Sequence, residues 1–147
     1  MNAASVLDLI RRYYAGCNAA DRAAMQATFC EDVVHYFTHH APVRGAAALA
    51  EHWARMQPRI AGHWTVDHGI AQDDEAVIEW TLRWTPPGTR GAGPAELMRG
   101  AEWYRLRGGR IAEIRAYYLN RHAPYARRDF ELDGFDYAGR GYAVLPE

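Results

Sequence analysis

The chain has no lysine: all 17 of its basic residues are arginine. Schiff-base chemistry and lysine nucleophiles are therefore excluded. Cysteine is scarce. Cys17 and Cys30 are the two present, without the short spacing of a metal knuckle, and free thiols in a reducing compartment are expected. No apolar run is long enough to span a bilayer. Met1 to Ile10 has no basic stretch and carries Asp8, unlike a secretory leader, so a cytoplasmic protein is expected. No glycine-rich phosphate loop occurs, which argues against a nucleotide cofactor. A net charge of −1 provides no global field for nucleic acid or an anionic membrane, and neither partner is expected.

What is present is the material of one globular domain. The chain has 147 residues, of which 49% are apolar, enough for a core without disulfides or metals. Val6, Leu9, Ile10, Tyr13 and Cys17 recur at helical spacing and predict a helix over Ser5 to Asn18. Asn18 and Asp21 are spaced as an N-cap and a first-turn acid, predicting a short second helix to about Thr28. Val33 to Thr38 reads as a strand that Pro42 ends. Gly45 precedes a third helix with Leu49, Trp53, Met56 and Ile60 on one face, limited by Pro58.

From Trp64 the period changes to two. Strands are predicted over Trp64 to Ile70, Ala76 to Thr85, Leu97 to Leu106 and Ile111 to Leu119. Gln72 to Glu75 and Arg107 to Arg110 are their turns, and Pro86 to Pro94 is a connector. Three helices and an early strand followed by an antiparallel meander make an α+β domain. The segment from Arg121 to Glu147 carries Tyr125, Phe130, Leu132, Phe135, Tyr137 and Tyr142. It is expected to wrap the domain, to cover a cavity mouth or to cross to a partner subunit.

Several stretches together resemble one family. They are Tyr13 to Asp21, Phe29 to Val34, Gly45 with its following helix, and Gly109 to Ile111 continuing through Glu113 to Tyr118. Residues 5 to 120 are similar to the nuclear transport factor 2-like superfamily, in its SnoaL-like branch. The resemblance implies a cone-shaped fold, with three helices on a curved, mostly antiparallel mixed sheet that encloses an apolar cavity. It implies a homodimer through the other sheet face. It does not fix the function, because the fold hosts isomerases, cyclases, dehydratases, epoxide hydrolases and binding modules. Parity alone leaves open whether Trp80 and Trp84 or Glu79 and Arg83 face the cavity.

The candidates for chemistry each have a plain structural alternative. His35, His39 and His40 lie in and after the first strand, where the resembling ketosteroid isomerases place an aspartate base; the matching position here is Phe37. His35 or His39 can serve as base, since imidazole titrates near neutral pH. The alternative is a partly exposed polar strand edge or a dimer contact. As a metal site the group lacks further ligands. Tyr13 lies eight residues before Asp21, the spacing of the oxyanion-stabilising tyrosine in those isomerases; otherwise it is a core tyrosine. The resembling dehydratases use an aspartate–histidine dyad, which maps onto Asp21 and His63; otherwise Asp21 serves the helix start.

Glu79, Arg83 and Glu102 match the acid–arginine–acid network of the resembling limonene-type epoxide hydrolases, with glutamates for aspartates. The alternative is a polar sheet face with ion pairs. Tyr14, Phe37, Trp53, Trp64, Tyr118 and Asn120 are expected to line the substrate cavity, with Asn120 orienting substrate or capping the last strand. Arg99 to Arg128 holds eight arginines against two glutamates, scattered rather than aligned, which reads as a solvated face. The function expected is a lyase or isomerase, without cofactor or metal, that works by general acid–base catalysis on a small, largely apolar molecule. The alternatives are the epoxide-hydrolase chemistry of Glu79, Arg83 and Glu102, or a binding module without chemistry.

Overall fold

The structure is a computed structural model that describes residues 1–86, 88, 92–122 and 131–144. Helix α1 spans Ala3–Ala19, longer at both ends than predicted, because Asn2 caps it by accepting from the Ser5 amide. Helix α2 is Arg22–Gln26. Its cap is Asp21, which accepts from the Ala24 amide, and not Asn18. Asn18 has another task. Its side-chain amide bonds both the N–H and the carbonyl of Trp64, at 2.7 and 2.9 Å, and so pins the start of β3 to the end of α1. Helix α3 is Ala46–Ile60 and runs through Pro58 to end two residues later at Ile60, capped by Ala61 in a left-handed conformation.

Six strands form one sheet: β1 Phe29–Tyr36, β2 Val43–Arg44, β3 His63–Gln72, β4 Glu75–Trp84, β5 Glu96–Arg107 and β6 Arg110–Tyr118. Their order is β2-β1-β6-β5-β4-β3. β1 runs parallel to β6, and every other pair is antiparallel. The fold is thus the predicted α+β class with a mixed, mostly antiparallel sheet. β1 begins earlier than its β-branched run suggested, because Phe29 already pairs with Ile111 ahead of a bulge. The turn between β5 and β6 is made by Gly108 and Gly109, both at positive φ, as a tight hairpin requires.

Alternation along β4 decides which face is which. Ala76, Ile78, Trp80, Leu82 and Trp84 are buried toward the helices, while Glu79 and Arg83 are exposed on the other side. The main core lies between that inner face and α1, α2 and α3. The outer face is covered in part by residues 131–144. Leu132 and Phe135 pack there on Tyr36 of β1, and Arg140 pairs with Glu113 through two bonds of 2.9 and 2.6 Å. This C-terminal segment therefore straps the face opposite the helices rather than covering the cavity. Pro87, Thr89 to Gly91, Tyr125, Phe130, Arg127 and Arg128 lie outside the described residues. Among the described residues, no helix is long and apolar enough to cross a membrane.

Candidate active site

The helices and the inner sheet face enclose a cavity of about 140 Å³. Every strand from β3 to β6 and both long helices contribute to its wall. The lining is mostly aromatic: Trp53 from α3, Trp64 from β3, Trp80 and Trp84 from β4, and Tyr13 and Tyr14 from α1. Among the described residues, no arginine lines it and Glu102 is its only acidic residue.

Glu102 reaches the cavity because β5 pairs it with Ile78, so it shares the inward parity of Ile78 and Trp80. It is 5% exposed. Its Oε2 accepts a hydrogen bond of 2.5 Å from Tyr14 and another of 2.5 Å from Tyr104. Two phenol donors on one oxygen offset part of the cost of burying this side chain. All three phenols nearby, of Tyr13, Tyr14 and Tyr104, are pushed well above the usual tyrosine range, first by burial. The Glu102 charge acts in the same direction. They remain protonated donors at neutral pH. The second carboxylate oxygen, Oε1, stands 3.6 Å from Nε2 of His35, which is fully buried.

A band of rings runs from this carboxylate to the mouth. His35 stacks on Phe37 at 4.0 Å, Phe37 meets His40 at 4.0 Å, and His40 lies 5.7 Å from His52 of α3. Nδ1 of His39 shares a hydrogen bond of 2.5 Å with the Tyr118 hydroxyl. Burial lowers the imidazoles of His39 and His52 to about 4 and lowers that of His40 as well. These histidines are neutral at neutral pH, the form that can take a proton.

Of the residues singled out in the sequence, Tyr13, Tyr14, His35, Phe37, His39, Trp53, Trp64, Glu102, Tyr118 and Asn120 all line the cavity. Asn120 also caps the turn after β6, accepting from the His122 amide at 3.0 Å. The proposed dyad is not assembled. Asp21 is exposed and occupied as the cap of α2, and His63 is exposed at the start of β3. Neither lines the cavity, and among the described residues no hydrogen bond or ion pair joins them. The Glu79–Arg83–Glu102 set is likewise divided by strand parity. Glu79 pairs with Ala101 and Arg83 with Leu97, which puts both on the outer face, away from Glu102. The scattered arginines meet separate partners: Arg105 pairs with Glu75, Arg107 with Asp32 and Arg121 with Glu96.

Two neighbours of the candidate site were missed. Tyr104 is two residues from Glu102 on the same strand face, a spacing that the sequence displays openly. His52 adjoins the Trp53 face of α3 and lies four residues before Met56, which also lines the cavity. Among the described residues, no cluster of histidine, cysteine, aspartate or glutamate is arranged to hold a metal ion.

Comparison with known proteins places this architecture. The family model of the SnoaL-like domain matches residues 10–114. A protein of unknown function with a cystatin-like fold from Methylobium petroleophilum PM1 is 37% identical, with a TM-score of 0.83 over 99% of this chain and 95% of that one. A protein from Xanthomonas campestris pv. campestris, put forward as a polyketide cyclase, is 25% identical, with a TM-score of 0.70 over 81% of this chain and 93% of that one. An epoxide hydrolase of the LEH-like type from M. tuberculosis shares the fold at 17% identity, with a TM-score of 0.67 over 80% of this chain and 84% of that one. None of the curated proteins matches the sequence. With a matched domain over most of its length and a cavity of the expected construction, the chain belongs to the SnoaL-like domain family.

Proposed function

We propose that this protein is a lyase or isomerase, of dehydratase or cyclase type, that needs no cofactor and acts by general acid–base catalysis on a small, uncharged, largely apolar molecule. The observation that carries this reading is the Glu102 carboxylate: buried in an aromatic cavity, clamped at Oε2 by two phenols, and facing His35 with Oε1. A carboxylate removed from water and held by fixed donors is an effective proton acceptor for a carbon acid. In this reading Glu102 and His35 exchange the proton. Tyr13 and Tyr14 shape the pocket beside them, and the tryptophans bind the apolar body. The absence of arginine from the wall among the described residues disfavours carboxylates and phosphates as substrates.

The test uses the intact chain in D2O with a panel of neutral cyclic ketones and β-hydroxy ketones, followed by NMR. Enzyme-dependent deuterium uptake next to the carbonyl, or loss of water, is expected. Glu102→Gln is expected to lower it by about 10²–10⁴-fold. Ketones that bind without exchange or elimination would make the domain a binding module instead. The outer sheet face supports a homodimer, because Ile70, Leu97 and Trp103 are exposed there. Sedimentation should then show a dimer that Trp103→Glu splits, and a monomer at all concentrations overturns that assembly.

A further inference from the structure

Glu102 lines the cavity, and so does the pair formed by His39 and Tyr118. β5 pairs Glu102 with Ala116 and Gly100 with Tyr118, so Glu102 and Tyr118 are diagonal neighbours on the inner face. Such neighbours stand about 7–8 Å apart. A small ring system spans that separation. What the second pair offers a bound molecule depends on which nitrogen of His39 carries hydrogen.

The hydrogen bond of 2.5 Å between the Tyr118 hydroxyl and Nδ1 of His39 decides it. Burial pushes the Tyr118 phenol well above its usual range, so it keeps its proton. His39 is neutral at neutral pH and has a single ring N–H. A bare imidazole nitrogen is a far better acceptor than a phenolic oxygen, so the proton in the bond is the phenol's. Nδ1 is then the lone-pair nitrogen, and the ring hydrogen sits on Nε2. Two further contacts fix the ring: it meets Tyr118 edge-on at 5.3 Å and His40 edge-on at 4.6 Å.

We infer that Tyr118 is a positioning residue that locks His39 as the Nε2–H tautomer, making His39 a neutral donor to an oxygen of the bound substrate. The inference rests on the acid–base reading above and names the substrate class for it: a ring-sized carbonyl compound with an acidic C–H next to its carbonyl group. In the first step the C–H bond breaks and its proton goes to Glu102. The electron pair of that bond forms a carbon–carbon double bond, and the carbonyl π pair moves onto oxygen. The Nε2–H of His39 stabilises that oxyanion and keeps its proton. Return of the proton from Glu102 to the same carbon gives hydrogen exchange; where a hydroxyl stands on the next carbon, the enolate pair forms a carbon–carbon double bond as the carbonyl re-forms, and the hydroxide leaves with the proton of Glu102 as water.

The test reads the tautomer directly, by long-range ¹H–¹⁵N NMR of the imidazoles in the full chain. Wild-type His39 is expected to show hydrogen on Nε2 alone at pH 7. Tyr118→Phe, which keeps the ring, is expected to show a mixture of both tautomers with an otherwise unchanged amide spectrum. An Nδ1–H tautomer in the wild type, or no change in Tyr118→Phe, overturns the inference. Binding of cyclohexanone gives a second reading. Tyr118→Phe should weaken it by roughly three- to tenfold, the worth of one modest hydrogen bond, and leave methylcyclohexane unaffected. Equal effects on both probes overturn the inference. If Glu102→Gln retains proton exchange, the acid–base reading fails on its own, since the tautomer is measured without turnover.

Discussion

Nε2 of His35 and Oε1 of Glu102 face one another across 3.6 Å, and Nδ1 of His35 lies 3.2 Å from the carbonyl oxygen of its neighbour Tyr36. A carbonyl can only accept, so Nδ1 carries hydrogen. A neutral ring would then turn its lone pair toward a carboxylate, two acceptors in contact. Nε2 makes no hydrogen bond among the described residues, so the pair is a place where a proton taken from substrate can lodge. The separation is longer than a formed hydrogen bond, as catalytic contacts often are before substrate arrives.

That arrangement separates the roles of Glu102 by substitution. In Glu102→Gln the amide oxygen can accept from Tyr14 and Tyr104 while the NH2 donates toward His35. Thermal stability is expected to stay at or above that of the wild type while acid–base function is lost. Glu102→Ala instead strands two buried phenol donors and opens space. It is expected to lose about 2–5 kcal/mol in urea unfolding. Equal stability of the two variants would show that the phenol clamp contributes nothing.

Acid should weaken the fold through the histidines of the mouth. Unfolded histidine titrates near 6.5, whereas His39 and His52 titrate at about 4 in the folded chain. Between those values the unfolded state binds more protons, so stability rises with pH through the window and is lost as pH falls from about 6.5 toward 4. The charge that would develop on His52 faces His40, His35, Arg55 and His39, all of which disfavour it. The slope has a ceiling of about 1.4 kcal/mol per pH unit for each histidine, lowered by solvent at the mouth. Urea midpoints at pH 7.5, 6 and 5 measure it. A double variant with His39→Gln and His52→Gln should flatten the slope, and an unchanged slope would assign acid lability to other groups.

Gly100 tests how tightly the tryptophan wall is set. A Cβ built there would lie 2.4 Å from Cζ2 of Trp80 and 2.8 Å from Cε2, inside any real contact distance. The indole lies flat across the missing side chain. Gly100→Ala must push Trp80 into the cavity or bend β5, at a cost of about 1–3 kcal/mol. A lower melting temperature, a shifted tryptophan emission and weaker cyclohexanone binding should appear together. A variant that melts like the wild type would mean that Trp80 has room to move.

The residues show why some of this was readable and some was not. Period-two alternation from Ala76 to Trp84 gave the strand, but parity is symmetric, and only packing on the helices told Trp80 from Glu79. The water-activating set failed for the same reason: Glu79 and Arg83 share a face with each other, while Glu102 takes the opposite face through its register with Ile78. Asp21 was recognised as belonging to a helix start, yet its capping bond leaves it no freedom to serve a dyad. Long-range relations such as Asn18 with Trp64, or Tyr14 with Glu102 across 88 positions, leave no local pattern. The two-residue β2 was missed because its pairing with Val34 and His35 is set by the partner strand.

The C-terminal strap should be separable from the site in its energetics. Phe135 is buried against Tyr36 at 5.2 Å, and the Arg140 guanidinium covers its ring at 4.2 Å while bonding Glu113. Arg115 donates to the Tyr142 hydroxyl at 2.7 Å, tying the same segment to β6. Tyr36 points outward and His35 inward from adjacent positions of β1, so the strap and the cavity sit on opposite faces of one strand. Phe135→Ala is expected to remove about 3–5 kcal/mol from the docking of the strap. Amides of 131–144 should then exchange much faster, while those of α1 and β4 stay protected. Cyclohexanone affinity should change by less than about twofold, because no described strap residue lines the cavity and the bond of the Asp133 amide to the Phe37 carbonyl in its wall does not involve the Phe135 ring. A larger loss of affinity would mean that the strap holds β1, and with it His35, in its working position.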